Sequence, residues 1–446
     1  MPPSPPPFVP PAPPRPSQSN IPGAFTLTTP LTSPTAVFEF HPSFGFTEEY
    51  TDNFRLTGQN RTSNFRSSLR AGFTLLINAP KTTGSITTSM AVSQDSARDS
   101  TNTQFFPSLT GTVRHTFDPR LSVTVTDSFT RSDEPSQADA FGLRRERRTF
   151  ASNSFSLSAD WLIDIISTQS YYRNSTFFSR EDSSSHGLGT NASTRLGELN
   201  TVRVGYELSL SSTSRSDTSG VSPTASGSQS TDSVGHLVLA SLSRQIGQFG
   251  SAGVSTSYSI QSRNDSRVWN ISLTSTYGLP TGLSVSSSLG YSRLTSGNAS
   301  DSNAVSANTS ASYRFTKAVI SLGISQDFRQ TFVEGQDFGI VLTRSYTGRF
   351  SYPLTPLISS SLFATYSENE PTGASTGVGT TGQRARAAKQ LSAGFNLSWP
   401  ILRWLSMSLN YSFSERFGDA SIAGTGTTGT GSSRENRASL NLGASF

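Results

Sequence analysis

From about Val37 to the carboxy terminus, apolar and polar residues alternate with a period of two. Leu121, Val123, Val125 and Phe129 interleave with Ser122, Thr124, Thr126 and Ser128. Leu283, Val285, Leu289 and Tyr291 interleave with Ser284, Ser286, Ser288 and Ser292. Leu405, Met407, Leu409, Tyr411 and Phe413 do the same with Ser406, Ser408, Asn410, Ser412 and Ser414. Successive strand side chains point to opposite faces, so each segment predicts a strand with one apolar and one polar face. A soluble β-sandwich gives the same alternation, and the pattern alone does not choose between water and lipid.

The connections do choose, because they alternate short and long. Short turns include Asn78–Lys81, Asp118–Arg120, Gly197–Asn200, Leu279–Gly282 and Pro353–Pro356. Longer connections run over Ser132–Glu146, Ser212–Ser230, Asn369–Ala388 and Gly418–Ser433. Outer-membrane barrels combine short periplasmic turns with longer extracellular loops. The predicted fold is all-β: a transmembrane, antiparallel, up-and-down β-barrel of about 20 strands (roughly 18 to 22), with both termini periplasmic. The first strand, near Phe38 to Tyr50, and the pair around Ser167 to Leu196 carry the weakest alternation.

Aromatic residues fall near predicted strand ends, at Tyr171, Tyr172, Phe177, Phe178, Tyr277, Tyr291, Tyr352, Tyr366, Trp399 and Trp404. That spacing predicts interfacial girdles, where an amphipathic ring bridges lipid and water. The final segment alternates Ala438, Leu440, Leu442, Ala444 and Phe446 with Ser439, Asn441, Gly443 and Ser445. It resembles the terminal signal by which outer-membrane barrels are recognised for assembly, with Leu440, Leu442 and Phe446 as its apolar positions.

Composition narrows the functional classes. Only 15% of the 446 residues are charged and 33% hydrophobic, a balance that would read as disorder without the strict period. No apolar run approaches the roughly 18 to 20 residues of a membrane helix, so a spanning chain must close as a barrel. Cysteine is absent and the four histidines (His41, His115, His186, His236) are widely separated, which predicts no metal site and no cofactor. The net charge of +5 is scattered, against a nucleic-acid partner.

Two domains are expected. Residues 1–35 form a Pro-rich, extended periplasmic segment with no packed core, and 36–446 form the barrel. The opening MPPSPPPFVPPAPPRPSQSN shows no basic and apolar signal-peptide regions, yet the barrel pattern predicts the cell outer membrane.

The opening barrel segment, GFTEEYTDNFRLT (Gly45 to Thr57), resembles outer-membrane β-barrels often found with exopolysaccharide and exosortase loci. Those porin-like proteins commonly open with a strand of the form S-E-x-Y-T-D-N, and Glu49, Tyr50, Thr51, Asp52 and Asn53 fall on that pattern. The resemblance covers about Val37 to Phe446, with recognisable motifs only at the two ends. It implies an exit pore for a secreted polysaccharide and carries over no catalytic residues.

The register points Arg66, Arg70, Arg114, Arg203, Glu207, Asp327 and Arg349 into the lumen among hydroxyls and amides. Such a wall suits hydrated neutral solutes or a sugar chain, and the arginines could guide anionic sugars; any water-filled lumen is also polar. Porins of 16 to 18 strands leave a channel and 22-stranded transporters carry a plug, so the pore is expected to be open unless a long loop folds inward. A basic cluster, Arg144, Arg145, Arg147 and Arg148, falls in one external loop, and Arg384, Arg386 and Lys389 in another. These loops suit contact with glycolipid phosphates or an anionic polymer, and equally suit plain solvation.

Catalysis is not expected. His41-Pro42-Ser43 has the His/Ser spacing of a membrane phospholipase, but a Ser-rich barrel offers many such pairs, and His115 and His236 fall on the apolar face near turns. The favoured function is a conduit, with outer-membrane lipid and glycolipid, the barrel-assembly machinery, a polysaccharide and periplasmic export components as partners. A structural surface protein without transport, as a β-solenoid adhesin or a plugged barrel, is the alternative; a solenoid would show an even coil repeat.

Overall fold

The computed structural model describes residues 25–27, 37–56, 60–97, 103–134, 149–178, 181–215, 231–262, 265–296, 299–333, 336–371, 388–417 and 432–446. A short strand, β1 (Phe25–Leu27), precedes the wall. The wall opens with β2 (Val37–Thr51), β3 (Asn64–Asn78), β4 (Thr82–Asp95), β5 (Gln104–Asp118), β6 (Leu121–Ser132) and β7 (Phe150–Ile163). It continues with β8 (Ile166–Phe178), β9 (Glu181–Leu196), β10 (Asn200–Arg215), β11 (Thr231–Ile246), β12 (Gly250–Gln261), β13 (Ser266–Gly278) and β14 (Leu283–Ser296). It ends with β15 (Ala299–Arg314), β16 (Val319–Val333), β17 (Gln336–Pro353), β18 (Ser359–Pro371), β19 (Ala388–Pro400), β20 (Leu405–Phe417) and β21 (Ser433–Ser445).

Each strand pairs antiparallel with its sequence neighbours, and β21 pairs with both β20 and β2, from Ser43↔Ser445 to Thr51↔Arg437. β2 to β21 therefore form a closed twenty-strand, up-and-down barrel with no free edge. β1 lies against β2 at Phe38 to Phe40, just past the point where β21 ends. The rest of the Pro-rich segment lies outside the described residues.

Two rims result. One carries the short turns together with the start of β2 and the end of β21. Three of these turns use a glycine at positive φ, Gly197 (72°), Gly247 (62°) and Gly282 (99°), a conformation that costs glycine little. The other rim carries the long connections, but not every one is long. β8 ends at Phe178 and β9 begins at Glu181, β14 ends at Ser296 and β15 begins at Ala299, and β16 ends at Val333 and β17 begins at Gln336, so the expected alternation of short and long holds only in part.

The ladders assign the faces. Of the exposed large apolar residues within the barrel strands, all but Leu162 and Phe363 share one face, which includes Phe44, Leu69, Leu188, Leu273 and Val305. The other face carries hydroxyl and amide rows: Ser89 with Ser108 (2.8 Å), Ser255 with Ser272 (2.7 Å), Ser284 with Ser312 (2.7 Å), and Asn396, Asn410 and Ser439 in series. Ion pairs from beyond β6 to β3 and β21, described below, shortcut the wall and identify the polar face as the interior. An apolar exterior and a polar lumen invert the soluble pattern and make this a bilayer-spanning barrel.

The height of the apolar band can be checked. Outward charged pairs begin near the long-loop ends: Arg293–Asp301, Arg344–Glu368, Lys389–Glu368 and Arg434–Glu415. Glu368 stands nine residues (368 − 359) above the start of β18. With about 3.3 Å per residue and a tilt of about 40°, that is roughly 23 Å, close to the ~25 Å apolar band of such barrels. Lys389, expected in a loop, lies in β19 because its register opposite Glu368 extends the ladder.

Closure is finished by the last residues. Leu440 and Leu442 face outward opposite Leu409 and Met407. Phe446 stacks on Trp404 (5.7 Å, 15°), and its backbone N–H donates to Pro42 O (3.1 Å).

Candidate functional site in the lumen and its mouth

All seven lumen candidates lie on the inward face, but they fall into two kinds. Arg66, on β3, is enclosed. Its Nε donates to Asp95 Oδ1 (2.7 Å), its Nη1 and Nη2 reach Asp133 at 2.9 and 2.6 Å, and its guanidinium lies over Phe54 and Phe106. The side chains of Asp95 and Asp133 are 1% and 2% exposed. Asn64 also donates to Asp95 (2.8 Å). Beside this cluster, Arg437 of β21 meets Glu134 (2.8 Å), Glu435 (3.2 Å) and Glu49 (3.7 Å), and Thr51 donates to Glu435 (2.8 Å).

Asp133 and Glu134 follow β6, three strands from Arg66 and five from Arg437. The chain leaving β6 therefore turns into the lumen and is pinned across the inner wall. A second segment also turns inward. β15–β16 pairing stops at Gln326, and above it Phe328, Ile340 and Leu342 pack on Leu294, Val268 and Ala304, residues of the inner face of β13–β15. The β16–β17 tip, where Phe328 and Ile340 to Leu342 mark it, thus lies inside the wall. Asp327, at this bend, accepts from Ser292 Oγ (3.3 Å) and from the Phe328 N–H (2.8 Å). It is a structural acceptor here.

The other arginines stand open. Arg70, Arg114, Arg203 and Arg349 are exposed on the inward face, and Arg114 Nη2 donates to Ser122 Oγ (2.9 Å). Glu207 is bonded by the Tyr171 hydroxyl (2.7 Å) and by Arg173. Tyr171 and Phe177 are therefore lumen residues rather than girdle residues, because the β8 register puts odd positions inside. Tyr172, at the even position between them, faces outward and donates to or accepts from His186 (2.9 Å).

The histidines are accounted for by structure. His41 Nδ1 lies 3.3 Å from Phe446 O and its Nε2 3.4 Å from Glu39, so it sits at the barrel seam. His115 bonds Thr82 (2.8 Å) beside Phe117, and His236 bonds the Tyr206 hydroxyl (2.9 Å), both on the outer face. The basic loop residues Arg144, Arg145, Arg147, Arg148, Arg384 and Arg386 lie outside the described residues.

No protein-family model matches the sequence, and no curated protein matches it. Solved structures match by shape. The siderophore receptor PirA from Pseudomonas aeruginosa has a TM-score of 0.52 and 11% identity over 91% of this chain and 80% of that one. The ferric-catecholate import receptor Fiu from E. coli K12 has a TM-score of 0.54 and 10% identity over 95% and 79%. The ferric enterobactin receptor PfeA has a TM-score of 0.52 and 10% identity over 91% and 81%. The likeness is one of fold.

Proposed function

We propose that the chain is an outer-membrane conduit whose hydroxyl- and amide-lined lumen passes hydrated solutes, and that its cargo is a secreted saccharide chain. The observation that carries the reading is the inner wall itself. It is dominated by Ser, Thr and Asn, and exposed arginines, among them Arg70, Arg114, Arg203 and Arg349, are set into it. Hydroxyls and amides exchange hydrogen bonds with water and sugars alike, so a glycan moving along them leaves little energy unrecovered. The likeness of Glu49 to Asn53 to the opening of export-associated barrels favours release over uptake. Uptake is the second reading, favoured by the shape likeness to import receptors.

Proteoliposome swelling tests the reading. Swelling with mono- to oligosaccharides, slowing as size rises, is the expected result. Vesicles that hold correctly folded protein and swell with no sugar would contradict it.

A further inference from the structure

Two clusters on opposite walls of the mid-lumen are unused by the mouth and share one design. The first spans β8 to β10. Tyr171 reaches across β9 to donate to Glu207, and it can do so only because β9 carries glycine there. A Cβ on Gly189 would stand 2.4 Å from Tyr171 Cζ, so the ring lies flat along the wall. Arg173 sits 4.7 Å from the centre of that ring and also bonds Glu207. The arginine side chain is 56% exposed and Glu207 only 20%. The wall thus turns the carboxylate away and presents the guanidinium, already ordered, to the lumen.

The second cluster spans β17 to β19. Arg349 and Phe363 are register partners on the inward face. A Cβ on Gly394 of β19 would stand 2.8 Å from Phe363 Cζ, so this ring too lies on a glycine. Phe363 is 37% exposed, one of only two such inward residues among the described strands. Leu162, the other, is next to a turn. An apolar ring facing water at mid-wall gains nothing from burial, and a flat partner is what would cover it.

β8 and β18 are ten strands apart in a wall of twenty, so the clusters face each other across the lumen. Their heights agree: Tyr171 is five residues above Ile166, and Phe363 four above Ser359. We propose that they are paired stations for a carboxylated saccharide chain, each offering an arginine to its carboxylate, with the Phe363 ring open to a sugar face and the Tyr171 ring, covered by Arg173, ordering that arginine. The inference rests on the conduit reading and adds the cargo's charge. Arginine is the suited cation because its planar fork binds carboxylate bidentately.

The test is current block of the full-length barrel in planar bilayers by oligogalacturonate, with maltohexaose as the neutral control, each referred to that variant's own open current. Arg173→Gln and Arg349→Gln should each weaken oligogalacturonate block about tenfold and leave maltohexaose block in place. Phe363→Ala should weaken both. Unchanged oligogalacturonate block in both arginine variants, or equal loss for both sugars, would overturn the stations. A folded wild type that carries no current would sink the conduit reading instead. Calorimetric titration of the detergent-folded barrel with oligogalacturonate then decides the stations: binding lost in both arginine variants supports them, and no binding to wild type overturns them.

Discussion

The mouth and the rest of the lumen spend the same residue type in opposite ways. At the mouth, Arg66 and Arg437 are surrounded by carboxylates from β2, β4, β21 and the segment after β6. Their charge is consumed in holding that segment against the inner wall. Along the rest of the lumen, Arg70, Arg114, Arg203 and Arg349 are open to the channel, and Arg173 has one carboxylate partner turned to the wall. An inward arginine in a barrel is therefore not in itself a selectivity residue. What decides is whether carboxylates from other strands reach it.

The largest effect should come from the mouth. Arg66→Leu leaves Asp95 and Asp133 buried without a cation and should cost about 3 to 5 kcal/mol, read as a lower urea midpoint for refolding in lipid. Adding Asp95→Asn and Asp133→Asn to that variant should restore much of the loss, because the unpaired charges are then gone. If Arg66→Leu alone is neutral, the mouth is not held as described.

Next is the inward strap itself, the chain that leaves β6 at Asp133 and Glu134. Glu134→Gln removes the charge that reaches Arg437 from five strands away and should cost about 1.5 to 3 kcal/mol. Single-channel records should also become noisier, whereas quiet records would mean the strap does not depend on this pair.

A third environment, the outer face, sharpens the contrast. Asp127 lies on the apolar face between Val125 and Phe129, six residues above Leu121 at mid-band, opposite Gly111 and Phe155. Asp127→Leu should stabilise the barrel by roughly 1 to 2 kcal/mol; destabilisation would place a partner on that face.

The smallest stability change belongs to the open arginines of the lumen. Exchanging Arg70, Arg114, Arg203 and Arg349 together for Gln should move stability by about 0.5 kcal/mol or less each. The anion-to-cation permeability ratio, read from reversal potentials in a salt gradient, should fall. An unchanged ratio would mean the open arginines do not set the field.

Much of the architecture was legible because a period of two is a local property. Strands, closure and the inward phase of Arg70 or Arg349 follow from alternation along single segments. The fate of each arginine was not legible, since Arg66 meets Asp133 across 67 residues and Arg437 meets Glu49 across the seam. Both contacts exist only once the barrel closes. The aromatics show the same limit. Nearness to a strand end suggests a girdle for Tyr171 and Phe177, but β8 parity sends them inward, and the glycine that receives Tyr171, Gly189, lies on the next strand. Lys389 shows it as well, because where a strand starts is set by its ladder, here the pairing with Glu368, and not by composition.

The most direct test of the account is single-channel conductance of the refolded, heat-modifiable barrel in planar bilayers with potassium chloride. A polar lumen with open arginines predicts steady conductance with anion preference. A folded, inserted barrel that carries no current would contradict it, and would mean that the inward strap and the β16–β17 tip occlude the lumen.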